Sequence, residues 1–331
     1  MAKFPSQRKM KYEKADISID SVGEIGILNV PKDLAILNRR GYEHTTRKGV
    51  PLVYQCQVDF YLHDDDGKGA TDAMGADVQG VLTLDGCQNN WVMRNAAVKW
   101  HNAREEMFAS QGIRKSDRGA YSHTIRYNFD SADDSFLSPL DGDGAAFTGG
   151  TWDVSDLSYA SDSSFQLGLT GNGDNEEADG FAGTYLSIGH SYLVSRANLL
   201  SDTNLEVEEG PAKFSVLNQM LSDSKHMLAG NASFQDDIID EARNAQDNPP
   251  YEVLDISDTG DVTHDITEKV ELGRAVAGFG NAYGSCIVDI PFGLARLQTY
   301  LRDAAGTNAG SSKTTPGMIC VTVLDIYEMQ G

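Results

Sequence analysis

NWVMRNAAVKWHNAREEMFASQ, residues 90–111, is the strongest helix signal in the first half of the chain. Val92, Ala96, Trp100, Ala103 and Met107 recur every three or four residues and so fall on one face. Asn89 or Asn90 can cap its start, and Gly112 follows its end where a left-handed residue is wanted. Short strand-like runs between Gly, Asp, Ser and Asn turns surround it. An amphipathic helix in such company is expected to lie across a sheet and bury its Trp100 face there. A second helical block, residues 211–246, holds a comparable place in the second half. It opens on Pro211 and carries the apolar stripe Phe214, Leu217, Leu221 and Leu228.

Working outward, residues 50–62, VPLVYQCQVDFYL, read as the clearest strand. Tyr54, Cys56, Val58 and Phe60 alternate with Gln55, Gln57 and Asp59, which gives one apolar and one polar face. Residues 15–30 read as a strand pair turning near Gly23, and residues 31–41 as a connection with one short helical turn. Further strands are expected at 78–84, 120–129, 151–159, 164–170, 251–256, 262–272, 285–290 and 318–327. Residues 181–200 begin as strand and become ambiguous with helix. About a dozen strands and two helical blocks are too many for one small barrel. The strands–helix–strands plan occurs twice, so the expected fold is mainly β, with two jelly-roll β-barrels side by side, each with a flanking helical insertion. Their boundary is expected between Tyr159 and Phe165, in YASDSSF. The expected organisation is a basic arm (1–14), a first barrel (15–162) and a second barrel (163–331).

At 331 residues the chain can bury a sizeable core. Its 33 glycines suit many tight turns. No apolar run reaches the roughly 18 residues that a membrane-spanning helix requires, and the first residues lack the apolar core of a secretory signal. The formal net charge is −22, with a pI near 4.5. Such a surface repels nucleic acid. The arm is the exception: Lys3, Arg8, Lys9, Lys11 and Lys14 face the single acid Glu13, leaving the remainder 26 charges negative. With Phe4, Met10 and Tyr12 beside them, these side chains are expected to touch membrane lipid or genome phosphate. A frayed terminus, or a clasp on a neighbouring subunit, is the alternative.

Cys56, Cys87, Cys286 and Cys320 show neither zinc spacing nor a disulfide framework; Cys56, Cys286 and Cys320, in apolar strand-like runs, read as buried hydrophobes. Three acidic loops carry Asp64 and Asp66, Asp141 and Asp143, and Asp174 and Glu176. Calcium would suit such carboxylates, but none of the loops has EF-hand spacing, and solvated loops are the simpler reading. No other cofactor is implied. The seven histidines form no metal pair, and residues 189–193, GHSYL, fail the nucleophile-elbow pattern at Leu193. No catalytic residue is therefore assigned, and the chain reads as a non-enzyme. Trp152 follows two glycines at the start of a strand, where a ring commonly plugs a barrel end.

GGTWDVSDL (149–157), VPLVYQCQVDFYL (50–62) and SCIVDIPFGL (285–294) carry a resemblance. With the doubled plan, the chain resembles the major capsid proteins of small icosahedral viruses, in particular the double jelly-roll proteins of tailless phages with an internal membrane. The resemblance implies a structural protein of the virion, assembled in the host cytoplasm as homotrimers that form pseudo-hexagonal capsomers. Its implied partners are neighbouring capsomers, minor capsid proteins and, through the arm, internal membrane lipid or genome phosphate. Receptor binding is left to other components. The short arm and acidic body depart from single-jelly-roll capsids that package genome directly, which favours a shell over a membrane. A surface or secreted β-sandwich that binds glycans through Trp152 and the acidic loops is the alternative. An enzyme on the same scaffold would need a histidine cluster.

Overall fold

The computed structural model describes residues 7–18, 22–62, 78–119, 121–130, 136–147, 152–160, 163–170, 184–197, 265–272, 283–303 and 314–330. In chain order the strands are β1 (Lys9–Ser18), β2 (Val22–Asn29), β3 (Leu52–Leu62), β4 (Val78–Gly86), β5 (Asp156–Ala160), β6 (Ser163–Gly168), β7 (Tyr185–Ser187), β8 (Asp265–Leu272), β9 (Tyr283–Pro291), β10 (Leu294–Asp303) and β11 (Thr314–Glu328). The helices are α1 (Val30–Asn38), α2 (Trp91–Ser110) and α3 (Ile188–Ala197). The protein is mainly β. Eight strands form two four-stranded antiparallel sheets, ordered β1-β11-β3-β9 and β2-β10-β4-β8. A small third sheet, β5-β6-β7, lies within the long segment between β4 and β8.

The two large sheets enclose one apolar core. Alternation places Met10 and Tyr12 of β1, Tyr54, Cys56, Val58, Phe60 and Leu62 of β3, Val288 and Ile290 of β9, and Ile319, Val321 and Val323 of β11 on its inner side. Ile25, Leu28, Leu82, Leu84, Leu297 and Leu301 face them from the second sheet. Residues 31–41 form more than the single expected turn. Asn29 caps α1 by accepting from the Lys32 N–H at 3.1 Å, and Pro31 stands in the first turn, where its missing N–H removes no helical bond.

A second core gathers at one end of the sandwich around α2. The expected helix is present: Asn90 Oδ1 accepts from the Met93 N–H at 3.0 Å, and Gly112 takes φ +71° just beyond the end. Val92, Ala96, Trp100 and Ala103 are fully buried, while Met107 is only partly so. The Trp100 ring meets Phe165 of β6 edge-on at 5.9 Å, and its indole N–H donates to Ser191 Oγ of α3 at 2.8 Å. As expected, α2 covers a sheet, here β5-β6-β7, with Leu157, Leu167 and Leu186 in the same cluster. Ile27, Val53 and Leu294 of the two large sheets, and Phe292 of the turn between β9 and β10, join that cluster.

Two expectations about organisation need correction. The large sheets are not built from successive halves of the chain: β1 and β2 pair with β11 and β10, so the divisions 15–162 and 163–331 cut through both sheets. Nor do residues 159–165 separate two barrels. The strands on either side of that run, β5 and β6, pair antiparallel, with Leu157 opposite Phe165 and both in one core. The helix expected at 211–246 and the strand at 251–256 lie outside the described residues.

Candidate functional site: the basic edge and the aromatic corner

The basic residues come first, because the structure changes their setting. Lys3 and Phe4 lie outside the described residues. Residues 9–14 are not a free arm but the start of β1, an edge strand whose Lys9, Lys11 and Glu13 pair with Thr322, Cys320 and Met318. Met10 and Tyr12 point inward and are buried, so they are not available to a lipid interface. Lys9 and Lys11 stay exposed and Lys14 is half-buried. The charge count alone hid this alternation. The chain before β1 is fastened to the end of α1: Asn38 Oδ1 accepts from the Gln7 N–H at 2.8 Å, and Asn38 Nδ2 donates to the Gln7 carbonyl at 2.9 Å. Five residues on, the Tyr12 hydroxyl donates to Asp33 Oδ2 of α1 at 2.5 Å. Asp33 is wholly buried, and its other carboxylate oxygen has no hydrogen-bond partner among the described residues. Burial pushes its carboxyl up to about 7, against the opposing pull of Tyr12 and Lys32.

The outer face of the first sheet carries a cross-strand polar network. Register sets Lys11, Cys320, Asp59 and Ser285 in one row, and Lys9, Thr322, Gln57 and Ile287 in the next. Asp59 Oδ1 accepts from Ser285 Oγ at 2.6 Å, Gln57 Nε2 at 3.0 Å and Tyr283 OH at 3.2 Å. Burial alone would raise the Asp59 carboxyl, but these donors and the charge of Lys9 hold it below its ordinary value. Tyr61 packs on Tyr283 with centroids 4.9 Å apart, and Ile287 is 60% exposed on the edge strand β9. The polar face of residues 50–62 was legible in the sequence. Its partners on β9 and β11, more than 200 residues away, were not.

Trp152 is half-buried in an aromatic corner at the end of the sandwich. The Arg126 guanidinium lies 4.2 Å over its ring, and His44 meets it edge-on at 5.8 Å. Tyr127 contacts His44 at 6.1 Å and Phe292 at 5.3 Å, both edge-on. The turn from β9 to β10 makes the corner tight: Phe292 and Gly293 both take positive φ, 57° and 70°. A Phe in this region is strained and must be held. The Phe292 N–H donates to the Leu52 carbonyl at 2.7 Å, and its own carbonyl accepts from His44 Nδ1 at 2.7 Å. A Cβ on Gly293 would come within 2.5 Å of Pro31, which explains glycine there. PFG was visible in the sequence, but nothing in it announced a left-handed Phe.

Burial lowers His44 to about 4; the Phe292 carbonyl opposes this and Arg126 adds to it. His44 is therefore neutral and donates from Nδ1. A basic group whose folded value lies below its unfolded value near 6.5 stabilises fully above pH 6.5 and loses that contribution as pH falls towards 4. The loss is on the order of 3 kcal/mol. His44→Gln is expected to lower stability at pH 8 through lost ring contacts, yet to show a flatter acid limb between pH 6.5 and 4 in urea titrations. An unchanged limb would remove His44 from the acid response.

Of the three acidic loops, only the one with Asp141 and Asp143 lies among the described residues. Asp64, Asp66, Asp174 and Glu176 lie outside the described residues. Asp141 Oδ1 accepts from the N–H groups of Asp143 and Ala145, both at 2.9 Å, so it caps its own turn, and the Asp143 residue is exposed. Among the described residues no three His, Cys, Asp or Glu side chains are grouped to hold a metal. None of the four cysteines is in a disulfide, and Cys286 is only half-buried; burial raises the Cys56 and Cys87 thiols far above their ordinary value. In GHSYL, Ser191 is buried and donates to the Ile188 carbonyl at 3.1 Å while receiving Trp100. Among the described residues no helix is long and apolar enough to cross a membrane, which leaves β-barrel membrane proteins untouched.

The fold thus defines a mainly β protein with two antiparallel four-stranded sheets around one core and a helix-capped annex at one end. No protein-family model, no curated protein and no solved structure matches the chain.

Proposed function

We propose that the chain is the major capsid protein of an icosahedral virus, a structural rather than catalytic protein. The observation that carries this reading is the strand order, β1-β11-β3-β9 against β2-β10-β4-β8. Successive strands cross between the sheets except at β4 and β8, which pair within one sheet, as in the eight-stranded jelly roll used by viral shells, lectins and cupins. The proposed unit is one jelly roll made from both ends of the chain, with residues 87–264 inserted between its fourth and fifth strands, in place of two barrels in succession. The apolar filling between the sheets supports a structural unit over a cupin-type enzyme, whose chemistry requires polar ligands on inner faces. The outer face of the first sheet, with its Asp59 network and the exposed Tyr283 and Ile287, is the proposed contact between subunits. Trimeric capsomers, neighbouring capsomers and minor capsid proteins belong to the same reading. A glycan-binding module is the alternative. Arg126 occupies one face of Trp152 that a sugar would stack on, so the geometry supports it less.

Size-exclusion chromatography with light scattering is expected to give a trimer near 108 kDa, three copies of a 35.9 kDa chain. Electron microscopy at raised concentration is expected to show closed shells. Ile287→Lys is expected to reduce the trimer at least tenfold without lowering the unfolding temperature. A protein that stays monomeric at every concentration and binds immobilised sugars would replace the capsid reading.

A further inference from the structure

We propose that the edge of β1 and the end of α1 form a binding surface for nucleic-acid phosphates, made of Arg8, Lys9, Lys11, Arg39 and Arg40. The double hydrogen bond between Gln7 and Asn38 brings Arg8 alongside Arg39 and Arg40, which follow α1 directly. All five side chains belong to exposed residues. Lys9 and Lys11 project from the outer face of the strand, opposite the buried Met10 and Tyr12, while the Leu140 N–H donates to the Lys11 carbonyl at 2.8 Å along the strand's outer edge, so the charges sit on the face of β1. Charge is concentrated here. Residues 1–50 hold ten Lys and Arg against six Asp and Glu, whereas the other 281 residues hold 17 against 43. A polyanion therefore finds a favourable landing zone here on a chain that is strongly acidic as a whole. At about 0.1 M salt, charges beyond roughly 10 Å are largely screened, so remote carboxylates do not cancel the patch; Glu13 and Asp59, on the same face as Lys9 and Lys11, reduce it in part.

The same geometry selects among anionic partners. A lipid surface rewards apolar side chains beside the basic ones, and here Met10 and Tyr12 are spent on the core while the five exposed residues carry none. A flexible phosphate backbone needs only spaced cations, which Arg and Lys at an edge supply. The bland reading gives each residue a local duty: lysines guard an edge strand against pairing with another chain, and arginines complement the carbonyl end of α1. Those duties involve no ligand.

The test is fluorescence anisotropy of a labelled 30-nucleotide oligodeoxythymidylate with the full chain, in steps from 50 to 200 mM NaCl. Five phosphate contacts predict a log–log salt slope near −3.5, which is about a hundredfold loss of affinity across that range. Arg39→Ser/Arg40→Ser and Lys9→Thr/Lys11→Thr should each reduce the slope to about −2, with unfolding temperature unchanged. Arg47→Ser/Lys48→Ser, at a separate exposed turn, is the control and should leave the slope unaltered. The proposal is overturned if the oligonucleotide does not bind, if the two patch variants bind like the parent, or if the control falls equally. Co-sedimentation with phosphatidylserine vesicles that the patch variants abolish, without oligonucleotide binding, would assign the surface to membrane instead. Because the readout uses soluble protein, failure to form shells would overturn the capsid reading and leave this result standing.

Discussion

Trp100→Ala is expected to lower the free energy of unfolding by about 3–5 kcal/mol. The side chain is fully buried, and its removal deletes three things together. It leaves a cavity between α2 and β6, it removes the edge-on contact with Phe165 at 5.9 Å, and it takes the donor from Ser191. The same core reaches the large sheets through Ile27, Val53, Phe292 and Leu294, so the loss should be felt by the whole sandwich and not by the annex alone. Urea denaturation followed by far-ultraviolet circular dichroism should therefore remain one transition with a lower midpoint. Trp100→Phe keeps a ring against Phe165 but loses the N–H and part of the indole volume, for which about 1–3 kcal/mol is expected. A loss below about 1 kcal/mol for the alanine variant, or a separate early transition confined to helix signal, would show that the annex and sandwich are not joined as described.

Asp33→Asn is expected to stabilise the protein at pH 8 by on the order of 4 kcal/mol and to change little at pH 4. The folded carboxyl sits near 7 instead of the ordinary 3.8, chiefly because burial disfavours its charge. Between those values the folded chain holds a proton that the unfolded chain has released. Its contribution to stability is greatest below pH 4, declines as pH rises, and levels off above 7. Asparagine retains an acceptor for Tyr12 and never has to ionise. The His44 contribution runs the other way over much of the same range, from about 6.5 to about 4. In the parent the two slopes offset, and each single variant should expose the other. Unfolding midpoints from pH 4 to 8 will decide: a parent-like slope in Asp33→Asn would remove this carboxyl from the account.

The legibility of this sequence depended on distance along the chain. Residues 91–110 announced α2 because the 3.6-residue period, the Asn90 cap and Gly112 all lie within one window. Residues 52–62 announced β3 through alternation alone. The strand from Lys9 alternates just as clearly, Lys9, Met10, Lys11, Tyr12, Glu13, but a tally of charges without their period made it an arm. Pairing left no local trace. Nothing near Lys9 points to Thr322, nor anything near Ala295 to Leu28 and Gly86. The doubled plan was therefore read as two bodies, when strands from both ends interleave. The site divides similarly. Trp152 and the basic residues were singled out, whereas His44, Phe292 and the Tyr12–Asp33 link emerge only once segments remote in sequence are brought together.

The placement of β11 between β1 and β3 bears on how the protein is made. From the end of β3 at Leu62 to the start of β11 at Thr314, roughly 250 residues must leave the ribosome, which takes about 12–50 s at 5–20 residues per second. For that interval β1 and β3 lack the strand that joins them, and each presents an edge that any neighbouring nascent chain could pair with. Closure is thus a late event in synthesis, dominated by contacts remote in sequence and correspondingly slow. Polysomes crowded with this message carry many half-finished sheets at once, and a holding chaperone that covers the edge of β3 would raise the yield more than one that acts after release.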